Sequence, residues 1–235
     1  MTIWQRLLRR LSSLGGNALL TLFGGARPPE AREGFTIAVV ALGAKMAKAD
    51  GRVTREEVTA FREIFRIEDA DLPAVGRFFD LARRDVAGFD LYAARIARMF
   101  EPGDPVLEAL VDALFTVARA DGALHEAELV FLREVARIFG LGEGAFDAIA
   151  ARHVGGGQAP PHEVLGVAPD APFAAVRGAW KALARRYHPD GLRARGIPDE
   201  AARLAEARMA EINAAYDLLR RRADAARHTQ RELTS

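Results

Sequence analysis

Apolar residues recur at helical spacing along almost the whole chain, and the strict alternation that marks a half-buried strand is nearly absent. A chain patterned this way must bury its apolar stripes helix against helix, so the expected architecture is all-α. Two interruptions divide it. GARPPEARE, Gly25 to Glu33, and HVGGGQAPPHE, His153 to Glu163, carry Gly and Pro runs that cannot continue a helix and read as linkers. The 235 residues leave room for two modest domains, and half of them are apolar, enough to give each a packed core.

Between the linkers the sequence repeats itself. AKMAKADGRVTREEVTAFREIFRI begins at Ala44, and LFTVARADGALHEAELVFLREVARIFGL begins at Leu114. Each copy has A-x-A-D-G, an aliphatic residue two positions after the Gly, then Glu, then an amphipathic helix. Asp50 thereby matches Asp121, and Glu57 matches Glu128. Each copy reads as a helix–turn–helix unit, with Gly51 and Gly122 free to take the left-handed conformation that ends a helix. Thr54 and Glu57 have the T-x-x-E spacing of a capping box. Leu72 to Arg84 and Phe89 to Phe100 supply further helices between the copies.

The acidic residues at these turns raise a metal question. Asp50, Glu56 and Glu57, or Asp121, Glu126 and Glu128 with His125, offer oxygen and nitrogen donors. The alternating acidic ligands of a calcium loop are missing, and His125-Glu126 lacks the second His of a zinc helix. Asp50, Glu57, Asp121 and Glu128 are therefore weak metal candidates, and turn plus helix cap is the favoured reading. The duplicated A-D-G-x-[VL]-x-x-x-E unit resembles the TerB family, helical domains associated with tellurite resistance. That resemblance implies a helical bundle and keeps metal or stress sensing open as an alternative function.

The C-terminal third places chemistry at a corner. HEVLGV, His162 to Val167, reads as a short helix ended by Gly166, and Phe173 to Tyr187 as a long one with Val176, Ala179, Leu183 and Tyr187 toward the core. A different stripe carries Arg177, Lys181 and Arg185, with Trp180 and Arg186 beside it. His188, Pro189 and Asp190 follow. Pro189 disfavours helical geometry at His188 and stops the helix, and Asp190 suits a turn. A third helix spans Asp199 to about Arg222, with Leu204, Ala205, Met209, Ile212, Tyr216 and Leu219 on its core face. The two long helices should form an antiparallel hairpin.

VLGV, WKALARRYHPD and INAAYDLL, in this order and spacing, resemble the J domain of DnaJ-type co-chaperones. Their order after the TerB-like unit resembles the subgroup that joins those two domains. The resemblance implies docking on a DnaK-type chaperone ATPase and stimulation of its ATP hydrolysis. His188, Pro189 and Asp190 would take the loop role, with Arg177, Trp180, Lys181, Arg185 and Arg186 on the docking face. The family usually has an aromatic where His162 stands and a basic residue where Gly191 follows the tripeptide. No Gly/Phe-rich or Cys-rich module is present, so general substrate binding is not expected.

The remaining features bound the function. Net charge is +1 and the Arg-rich helix end near Arg220 suits the helix dipole, so nucleic acid is not an expected partner. Absence of cysteine excludes a disulfide scaffold, an iron–sulfur site and a thiol nucleophile, and agrees with a reducing compartment. His188 and Asp190 have no nucleophile or oxyanion hole beside them in sequence, so no enzyme activity and no cofactor are expected. At the N-terminus, Trp4, Leu7, Leu8, Leu11 and Leu14 lie near one helical stripe beside Arg6, Arg9 and Arg10. This suits an interfacial helix or one packed on a partner, a frayed tail or a signal peptide being the alternatives; it is too polar to span a bilayer.

The expectation is a two-domain all-α protein, a TerB-like helical bundle with a duplicated helix-turn-helix unit plus a C-terminal J domain with an antiparallel helical hairpin. Residues 1–32 would be the N-terminal amphipathic segment and linker, 33–153 the TerB-like domain, 154–161 a linker, 162–222 the J domain and 223–235 a tail. The expected location is the cytoplasm, with the N-terminal segment a candidate for peripheral contact with the inner face of the membrane. The TerB-like domain would target the protein to a client or site.

Overall fold

Helix α1, Pro28–Ala49, is buried on every side from residue 34 to residue 46, the behaviour of a helix whose sequence is apolar all round. It belongs to a computed structural model that describes residues 28–49, 54–84, 88–153, 159–195 and 197–233. The N-terminal amphipathic stretch, Asp50, Gly51 and most of the Gly-rich linker lie outside the described residues. The expected linker from Gly25 to Glu33 is corrected in part, because α1 already begins at Pro28. Proline is tolerated in a first helical turn, where its missing N–H has no intrahelical partner to lose.

Helices α2 (Arg55–Ile64), α3 (Leu72–Arg84), α4 (Phe89–Ala97), α5 (Pro105–Ala118), α6 (Glu126–Ile138) and α7 (Glu143–His153) complete the first bundle. The duplicated pattern becomes two long central helices, α1 and α5, each followed along the chain by an amphipathic helix. The second helix of each copy crosses to the other's central helix, α2 packing on α5 and α6 on α1. Phe35, Leu42, Met46, Leu110, Leu114, Phe115, Leu132 and Phe146 form the shared core. Burying a side chain of this size stabilises by roughly 1.5–3 kcal/mol. Gly43 admits the Phe61 ring against α1, since a Cβ there would meet Phe61 at 2.6 Å.

The second bundle is α8 (Pro161–Leu165), α9 (Phe173–Arg186), α10 (Pro189–Ala194) and α11 (Asp199–Leu233). Gly166 ends α8 in the left-handed region at φ 65°. Helices α9 and α11 form the antiparallel hairpin. Val176, Tyr187, Leu204, Ala205 and Ile212 are buried between them, as the apolar stripes predict. Two features depart from expectation. The connection holds the short helix α10, which Pro189 opens, and α11 continues to Leu233 rather than ending near Arg222. Residues 220–233 contain no Gly or Pro and are mostly good helix formers, so nothing local stops the helix. Among the described residues there is no strand and no helix long and apolar enough to cross a membrane.

The two bundles meet along α5. Helix α11 packs on α5 and also reaches α1, while α8 touches α7. At this seam Asp112 binds Arg152 Nη2 at 2.8 Å and His153 Nε2 at 3.2 Å. Arg208, buried within α11, donates to the Val164 carbonyl at 3.1 Å and to Glu211 at 2.7 Å. Burial alone would raise the Asp112 pKa. The His153 hydrogen bond and the charges of Arg152 and Arg208 outweigh it and hold the carboxyl well below the usual range.

Candidate functional site

The corner that follows α9 is exposed. The His188 side chain is 56% accessible and that of Asp190 82%, so both are available to a partner. The Asp190 backbone N–H donates to His188 Nδ1 at 3.3 Å, and the Asp190 carboxylate stands 3.9 Å from the same nitrogen. The backbone is committed to this bend: α9 ends at Arg186, and Pro189 cannot accept a continued α9 but suits the first position of α10. Among the described residues, His188 and Asp190 belong to no group of three or more His, Asp or Glu that could hold a metal ion.

Along α9, Arg177, Lys181 and Arg185 are exposed on one stripe, as their spacing of four predicts. Arg185 Nε donates to the Lys181 carbonyl at 3.1 Å, which directs it along the helix. Two residues expected beside this stripe are placed differently. Trp180 is only partly exposed. Its ring stacks on Tyr216 at 4.5 Å, Tyr216 stacks on Phe173 at 5.9 Å, and Trp180 Nε1 donates to Asn213 Oδ1 at 2.9 Å. Trp180 lies one helical turn from both Val176 and Leu183, so it shares an edge with the core stripe. The aromatic therefore braces the hairpin through Asn213 and Tyr216, both in the INAAYDLL stretch.

Arg186 turns toward the first bundle. Its Nη2 lies 2.7 Å from Glu108 Oε2 and donates to the Gly103 carbonyl at 3.3 Å. Five residues beyond Asp190, Arg195 Nη1 pairs with Asp104 Oδ2 at 2.6 Å. Asp104 also caps α5, its Oδ1 accepting the Val106 N–H at 2.9 Å. Tyr187, almost fully buried, lies beside Glu108; burial first, and that charge second, push its phenol well above its ordinary value. Sequence reading missed Asp104 and Glu108, because nothing local in either segment announces a contact between residues so far apart. Arg208, an arginine inside the apolar stripe of α11, was the visible sign of a buried ionic seam.

Three of the acidic repeat residues, Glu57, Glu128 and Asp121, accept hydrogen bonds from nearby backbone N–H groups. Glu57 and Thr54 form the expected capping box, with the Thr54 N–H donating to Glu57 Oε2 at 2.7 Å and the Glu57 N–H to Thr54 Oγ1 at 3.1 Å. Glu128, fully buried, accepts the His125 N–H at 3.0 Å, and Asp121 accepts the Ala123 N–H at 3.1 Å beside Gly122 at φ 95°. Asp50 lies outside the described residues. Among those described, no group of three or more His, Asp or Glu is arranged to hold a metal ion.

The chain matches the family described as "Tellurite resistance protein TerB" over residues 36–151 and the "DnaJ domain" over residues 160–228. It is 27% identical to a Co-chaperone protein DjlA of Photobacterium profundum, across 85% of this chain and 83% of the relative. It is also 27% identical to a protein of the same name from Vibrio parahaemolyticus, across 91% and 86%, and 28% identical to one from Yersinia pestis, across 75% of each. No solved structure matches at the same stringency.

Proposed function

The chain carries a TerB domain followed by a DnaJ domain, and from that premise we propose that it is a J-domain co-chaperone that docks on a DnaK-type ATPase and stimulates its ATP hydrolysis. The observation that carries this reading is the exposure of His188 and Asp190, on either side of Pro189, at the end of a helix presenting Arg177, Lys181 and Arg185 to solvent. A cationic stripe steers encounter with an acidic partner. The corner adds polar groups held by a hairpin that Trp180, Asn213 and Tyr216 stiffen.

The ATP and the hydrolytic chemistry belong to the partner. This chain supplies binding energy that favours one of the partner's conformations and has no turnover of its own. In this reading residues 33–153 select a client or cellular site, 154–161 link, and 162–222 dock. The arginine-flanked N-terminal segment, residues 1–32, would bring the protein to the cytoplasmic face of a membrane. The engagement of Glu57, Glu128 and Asp121 by backbone N–H groups supports the co-chaperone reading over metal sensing.

The test is ATP hydrolysis by a DnaK-type chaperone with and without the full chain. Faster hydrolysis is expected. No acceleration across several such chaperones, by a folded sample, would overturn the reading.

A further inference from the structure

Both ends of the segment that carries the tripeptide are held by one acidic turn of the other domain. Arg186, two residues before His188, binds Glu108 and the Gly103 carbonyl; Arg195 binds Asp104. The turn itself is fixed. Gly103 sits at φ 70° with its N–H donated to the Phe139 carbonyl at 3.1 Å, and Asp104 caps α5. The Asp104 and Glu108 side chains are only 2% and 13% exposed, against 45% and 44% for the arginines they hold. The anchors are thus rigid parts of the TerB domain, and the arginines are the movable partners.

We infer that the TerB domain masks part of the J domain's docking face: its Gly103–Glu108 turn straps residues 186–195 in place and occupies Arg186 until a partner displaces it. The inference rests on the docking reading above and adds its regulation. An acidic partner surface carries the same charge as Glu108, so the two compete for one guanidinium. Arg177, Lys181, Arg185 and His188 are exposed, which permits a first encounter before Arg186 changes hands. Coupling of this kind is reciprocal: whatever draws the turn away from Arg186 favours docking, and docking loosens the turn.

The test compares the full-length wild type with Glu108→Gln, and with Glu101→Gln as a control that lowers the turn's charge without touching Arg186. Two readouts are taken, the concentration that half-maximally stimulates a DnaK-type chaperone in single-turnover ATP hydrolysis, and amide hydrogen exchange over residues 187–195. Release of one partly buried ion pair predicts a half-stimulating concentration lower by roughly three- to tenfold for Glu108→Gln, with an unchanged plateau. Exchange over the strap should rise in the same variant, and Glu101→Gln should stay near wild type in both readouts. A Glu108→Gln protein that stimulates at the wild-type concentration, or needs more, overturns the masking. So does unchanged exchange over the strap. If neither wild type nor Glu108→Gln stimulates, the docking reading fails and the masking with it. Stimulation by the variant alone would be the strongest support.

Discussion

Gly43 is the position where a single atom decides the packing of the first bundle. It lies within a fully buried stretch of α1, and the Phe61 ring occupies the space a Cβ would need. Phe61 cannot swing away freely, because it is itself buried and packs on Phe65 at 4.5 Å. Gly43→Ala gains about 1 kcal/mol of helix propensity but overpacks the core by roughly 1–3 kcal/mol. The expected result of a denaturant titration is a lower midpoint with an unchanged slope. At Glu128 the sequence offered two roles, metal donor and helix cap, and the bond from the His125 N–H favours the second. Glu128→Ala should therefore cost about 1–2 kcal/mol by the same titration, in the presence of a chelator as in its absence. Trp180 was half legible. Its spacing placed it beside the cationic stripe, but its lean toward Tyr216 depends on a residue of another helix.

At the level of elements, Asp112 joins α5 to the end of α7 through Arg152 and His153, with Arg208 of α11 close enough to act on its charge. Its folded pKa lies below the value of about 3.9 for an unfolded chain, so the ionised carboxylate adds stability that is full above that value. The contribution is lost as pH falls through the folded pKa. Asp112→Asn should destabilise the protein by about 3 kcal/mol at pH 7, and the gap from wild type should narrow below about pH 4. Thermal unfolding of both proteins across pH checks this. The elements themselves were largely legible: the core stripes of α9 and α11, the cap of α2 and the stop at Gly166 follow from spacing and residue type. The start of α1 was not, because a Pro-Pro pair is read as a break, although it also suits a first turn. The end of α11 was not either, since a charged, low-hydrophobicity sequence looks like a tail while keeping high helix propensity.

For the whole molecule, the consequential contacts join residues that local pattern does not connect. The repeat and the tripeptide could be read in the chain, but Arg186 facing Glu108, and Arg195 facing Asp104, arise only when α11 packs along α5. That packing brings the proposed docking corner beside the TerB domain, so the domain that would choose a client also touches the face that would recruit the ATPase. The most direct measurement is single-turnover ATP hydrolysis by a DnaK-type chaperone with the wild type and with His188→Gln, both shown to be folded. Faster hydrolysis is expected with the wild type, and His188→Gln should need at least about thirty-fold more protein or fail to stimulate, the loss expected of an interface hot spot. Equal stimulation by both proteins would contradict the assignment of the corner as the working site, and stimulation by neither would contradict the co-chaperone function itself.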